Sequence, residues 1–173
     1  MKKIFISLGL LILSLHSYSQ KSVKNWDKWN KLIGSWAGEG EGKPGQGVGA
    51  FSFKFDLDKA IIVRRSHSEY PATKDKPATL HDDLMIIYVG QPGGPDKAIY
   101  FDNEGHVINY AVVFPDDNEI IFTSEIIAGM PRFRLIYLFA NSSNMGVSFE
   151  IAPPEKPEAY SMYISGNVHK KPE

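Results

Sequence analysis

Residues 97–139 read KAIYFDNEGHVINYAVVFPDDNEIIFTSEIIAGMPRFRLIYLF, and this stretch decides the fold class. Short apolar runs at 97–102, 106–114, 119–125 and 132–139 carry the two-residue period of strands that bury one face. Between them stand Asp102-Asn103-Glu104-Gly105, Pro115-Asp116-Asp117-Asn118 and Gly129-Met130-Pro131. Each is turn chemistry with a mechanism: Gly reaches positive φ, Pro presets φ, and Asp and Asn bond their own backbone. Strands joined this closely pair with their chain neighbours as antiparallel hairpins.

The same pattern extends both ways, with further strands expected at 35–42, 48–56, 60–69, 82–89, 145–151 and 161–169. About ten hairpin-linked strands in one flat sheet would leave hazardous edges. An up-and-down barrel closes them, and one of this size can hold a single small ligand. A two-sheet sandwich is the alternative architecture. One short N-terminal helix is expected: Ser22 can cap it, Trp26, Trp29, Leu32 and Ile33 recur at three- and four-residue spacing, and Gly34 ends it. The fold class is therefore all-β, an antiparallel barrel of about ten strands behind one short helix.

The N-terminus has the order of a secretory signal: Lys2-Lys3, an apolar run from Ile4 to Leu15, and small residues at Ser17 and Ser19 before Gln20. That run, about twelve residues, is short of the roughly 20 that span a bilayer, so no membrane span is expected. Residues 1–19 are read as a signal peptide and 20–173 as one domain, in a periplasmic or secreted protein. The chain of 173 residues has no cysteine, so disulfides do not staple it and burial must hold it. The formal charge is −1, becoming −3 once Lys2 and Lys3 leave. A weakly acidic chain without a basic stripe argues against nucleic acid.

Alternate hairpins of a meander lie at opposite ends. The end where strand 60–69 finishes would gather His67, Glu69, His81, Asp82, Asp83, Asp102, His106 and Arg132. By parity, one face of that strand carries Ile61, Val63, Arg65, His67 and Glu69, the other Ile62, Arg64, Ser66 and Ser68. Taking the first face as inward makes Arg65 and His67 a polar anchor suited to a carboxylate or phosphate. The competing reading is a wet hairpin end with Arg65 paired to Glu69 on the surface. Tyr88, Tyr100, Tyr110 and Tyr137 are amphipathic and suit a pocket wall or plain core. The candidate ligand-binding set is Arg65, His67, Tyr88, Tyr100, His106, Tyr110 and Arg134.

Other chemistries have weaker marks. The histidines and carboxylates are metal-ligand types, but no compact H-x-x-x-H spacing joins them. There is no G-x-S-x-G elbow and no cysteine nucleophile, so an enzyme here would be a hydrolase or isomerase built on a His/Asp/Arg cluster at the mouth. The glycines from Gly38 to Gly49 end in no Lys-Ser/Thr and open no helix, unlike a phosphate loop.

Leu32-Ile33-Gly34-Ser35-Trp36-Ala37-Gly38-Glu39-Gly40-Glu41-Gly42 resembles the start of calycin barrels, which include lipocalins, fatty-acid-binding proteins and nitrobindin-type haem barrels. The resemblance implies that Trp36 closes the barrel's base. It further implies a partly apolar or amphipathic small molecule as ligand. Nitrobindin-like proteins ligate haem through a histidine near the last strand, where this chain has His169. Fatty-acid-binding proteins use an inward R-x-Y on the final strand, which here has no arginine. No cofactor or metal is therefore assigned, with haem kept as an alternative.

Overall fold

The computed structural model describes residues 25–39, 47–92 and 94–172. The expected signal segment, Ser22 and most of the glycine-rich stretch lie outside these. Ten strands follow in chain order: β1 (Gly34–Gly38), β2 (Val48–Asp56), β3 (Ile61–Tyr70), β4 (Thr79–Tyr88), β5 (Asp96–Asp102), β6 (Val107–Val113), β7 (Glu119–Ser124), β8 (Arg132–Phe139), β9 (Asn144–Ala152) and β10 (Ser161–Lys170). Every neighbouring pair is antiparallel, and β1 pairs with both β2 and β10, which closes the barrel. The sandwich alternative is thereby removed. The architecture is consistent with a calycin-like barrel.

Over the described part of the expected helix one turn of 3-10 helix forms, Asp27–Trp29. Two indoles pin this segment across the closed end. Trp26 Nε1 donates to Lys59 O and Trp29 Nε1 to Asp96 Oδ2, both at 2.8 Å. Both side chains are buried. Trp36 Nε1 donates to Leu32 O at 2.8 Å, folding the chain back under the base as β1 begins. Gly34 sits at φ +123°, where a Cβ would also meet Lys170 Cε at 2.7 Å.

The closed half of the barrel is filled. Trp29, Trp36, Phe53, Phe122 and Tyr137 are fully buried there with Ile62, Met85 and Ile87. Edge-to-face pairs tie the rings together, Phe53–Tyr137 at 5.7 Å and Phe122–Tyr137 at 5.8 Å between centroids. This packed plug stands in for the absent disulfides.

Candidate functional site

The open half differs. Ser66, Ser68, Ile108, Phe133, Val147, Phe149 and Ile151 point inward by strand register yet keep partial solvent exposure. Solvent thus reaches the inner wall above the aromatic plug, and this open end of the barrel is the cup. Its two walls are chemically unlike. From β8 and β9 come Phe133 and Phe149, stacked at 5.7 Å and 14°. From β3, β4 and β5 come charged and hydroxyl groups.

The cup's floor is an ion pair. Arg64 on β3 donates through Nη1 to Asp83 Oδ1 on β4, and the two side chains are only 9% and 6% exposed. The guanidinium lies over the Phe51 ring, 5.0 Å from its centroid. Burial opposes the Arg64 charge, nearby Tyr137 and Asp83 favour it, and the balance raises its pKa. Two buried polar atoms beside the pair, Arg64 Nε and Tyr137 Oη, have no well-aligned hydrogen-bond partner among the described residues, although the Arg64 guanidinium and the Tyr137 hydroxyl lie close enough to interact. Burial pushes the Tyr137 phenol up to about 12, against the pull of Arg64. Buried polar atoms of this kind cost about 1–3 kcal/mol each when nothing satisfies them.

Above the floor, His81 bridges two groups. Its Nδ1 lies 3.1 Å from Glu104 Oε1 and its Nε2 lies 2.9 Å from Tyr100 Oη. A carboxylate only accepts, so Nδ1 carries a proton; in the neutral form of the ring, Nε2 accepts from the Tyr100 hydroxyl. Burial raises the Tyr100 pKa, so this phenol is a donor and not a phenolate. At the rim, Asp102 is 4% exposed and accepts from the His106 backbone N–H, the His106 ring Nδ1 at 2.8 Å, and the Glu104 backbone N–H. Burial pushes Asp102 up, but the hydrogen bonds from His106 and Glu104 outweigh it and hold the carboxyl below its ordinary value.

The candidate residues divide between cup and outer wall. Tyr100 and Tyr110 face inward and His106 stands on the rim. Arg65 and His67 do not face inward, a correction to the parity assigned above. Ile62, Arg64, Ser66 and Ser68 take the inner face, and Arg65 lies outside among Val63, Leu84 and Ile86. The run Ile61-Ile62-Val63-Arg64-Arg65 is apolar then basic on both faces, so alternation does not choose between them. Pairing of Ile62 with Phe55 and Ile87, both inward, makes the choice. His67 accordingly binds Asp82 Oδ1 at 2.6 Å and Glu69 Oε1 at 3.1 Å on the outer wall. The Asp82 bond first, then Glu69, raises its pKa.

Tyr88 also faces outward, since Ile87 takes the inner position. Arg134 is on the outer wall too, 2.6 Å from Glu150 and 4.1 Å from the Tyr160 ring centroid. Beside it, Arg132 pairs with Glu158 of the segment after β9. His169 alternates with buried Val168 and stays exposed near the closed end, so it does not fit a haem ligand inside the barrel.

Arg64 was the missed residue. Its signal was present as an Arg-Arg pair whose two members must face opposite ways. Among the described residues no group of three or more His, Asp or Glu side chains is arranged to hold a metal ion, and no helix is long and apolar enough to cross a membrane. The chain matches no protein-family model and no curated protein sequence.

Proposed function

We propose that this chain is an exported binding protein that takes one small amphipathic molecule into the open half of its barrel. The observation that carries the reading is the half-exposed inner lining above a buried Arg64–Asp83 floor with Tyr137 Oη and Arg64 Nε lacking well-aligned partners. A ligand's polar end satisfies these atoms, and its apolar body lies against Phe133 and Phe149. Export follows from the signal-like first nineteen residues.

The test is binding of a neutral fluorophore, N-phenyl-1-naphthylamine, to the mature protein. Saturable binding at one site, weakened by Phe133→Glu at the cup wall, is expected. No saturable binding overturns the reading.

A second reading, an acid–base enzyme, draws on the His106–Asp102 hydrogen bond at the rim. Against it, Tyr100, whose hydroxyl lies 2.9 Å from His81 in the cup, is held protonated by burial. Loss of ligand turnover in His106→Gln, with binding retained, would favour this reading instead.

A further inference from the structure

The charge of the cup narrows its ligand. Among the described inward-facing strand residues of the open half, Arg64 is the one cation, and Asp83 already neutralises it. Asp102 and Glu104 are then left at the rim, two negative charges with both imidazoles neutral. Protonating His81 and His106 brings the sum only to zero. Among these described groups no histidine state leaves a net positive charge.

Arg64 is also poorly placed to serve as an anion anchor. Its Nη1 is spent on Asp83, whose carboxylate already supplies the negative charge that the guanidinium would otherwise take from a ligand. Tyr137 Oη beside it is a phenol, able to donate or accept. A carboxylate drawn into this layer would meet Asp83 across a low-dielectric gap, and such like-charge juxtaposition is unfavourable. A hydroxyl, amide or ammonium group meets no such penalty.

Resting on the cup as the ligand site, we infer that the ligand's polar end is neutral or cationic, an alcohol, amide or amine, and not a carboxylate or phosphate. Arg64 and Tyr137 hold the polar end at the floor, and the acidic rim of Asp102 and Glu104 turns anions away. A barrel interior with a buried arginine thus works as a neutral or cation-tolerant site because that arginine arrives already paired.

The experiment compares three probes of equal apolar size, decanol, decylamine and decanoate, at pH 7.5. Each competes with N-phenyl-1-naphthylamine on the mature chain. Decanol and decylamine are expected to displace the fluorophore at concentrations at least about tenfold below decanoate. Asp83→Asn frees Arg64 and is expected to raise decanoate affinity about tenfold relative to decanol. Should that variant not fold, Asp102→Asn replaces it and is expected to weaken decylamine relative to decanol. Decanoate binding as tightly as decanol overturns the charge inference and leaves the cup standing. If the fluorophore does not bind and none of the three probes protects the chain thermally, the cup reading itself fails.

Discussion

Arg64 and Asp83 sit on adjacent strands and pair inside the barrel, with their side chains 9% and 6% exposed. Breaking such a pair leaves an uncompensated buried charge, whereas replacing both members with apolar residues of similar size does not. Arg64→Met alone or Asp83→Leu alone is expected to destabilise the fold by about 3–5 kcal/mol. The double variant is expected to recover most of that loss. Urea unfolding of the two singles and the double, read as a cycle, checks it. A double variant no better than the worse single would show that the pair is not the source of the cost.

Acid stability should report Asp102. Its folded pKa is lowered, so its contribution is present above the ordinary carboxylate value and is lost as pH falls through the lower folded value. Asp102→Asn is expected to flatten the fall in unfolding free energy as pH drops below about 4. An unchanged slope in that window would place the acid-labile group elsewhere.

His67 should titrate above an ordinary imidazole, because Asp82 and then Glu69 hydrogen bond its charged form. The sign is opposite to that of Asp102. A raised histidine favours the folded state below the unfolded value of roughly 6.5 and loses that contribution as pH rises through the folded value. Asp82→Asn is expected to move the His67 midpoint, followed by NMR, down towards the ordinary value. A midpoint unaffected by that substitution would mean that the 2.6 Å contact does not persist in solution.

The base plug gives a packing test. Trp29 is 1% exposed, contacts Phe114 and Phe122 edge-on, and donates to Asp96. Trp29→Ala is expected to cost about 3–5 kcal/mol in thermal or urea unfolding. A loss under about 1 kcal/mol would show that the closed end is not a core.

The turn from β2 to β3 stores strain that can be released. Leu57, Asp58 and Lys59 all adopt positive φ, at 47°, 54° and 59°. Each such non-glycine residue costs about 1–2 kcal/mol. Leu57 is 68% exposed, so it has little burial to lose. Leu57→Gly is expected to stabilise the protein by about 0.5–1 kcal/mol, after the entropy that glycine adds to the unfolded chain. Destabilisation would mean that the exposed leucine packs where its solvent exposure suggests otherwise.

Strand number, chain order and the polar end were legible before any coordinates, because turn residues and period-two runs act locally. Trp36 was expected to close the base, and it is buried there. Tyr100 and His106 were chosen from the same local signals and stand in or on the cup, while Tyr110, chosen likewise, is buried in the core against Phe122. The N-terminal helix was read from tryptophan spacing, and a single 3-10 turn forms because two indole hydrogen bonds reach partners far along the chain, Lys59 and Asp96.

The sequence by itself determined a hairpin-linked, disulfide-free all-β chain and which residues gather at one end. Only the tertiary structure decided which face of β3 turns inward. Ile61-Ile62-Val63 is apolar on both faces and Arg64-Arg65 basic on both, so the local pattern is degenerate. Long-range register with Phe53 and Phe55 on one side and Met85 and Ile87 on the other breaks the tie. That choice puts Arg64, not Arg65, beside Asp83, and it turns an expected anion anchor into a neutralised floor.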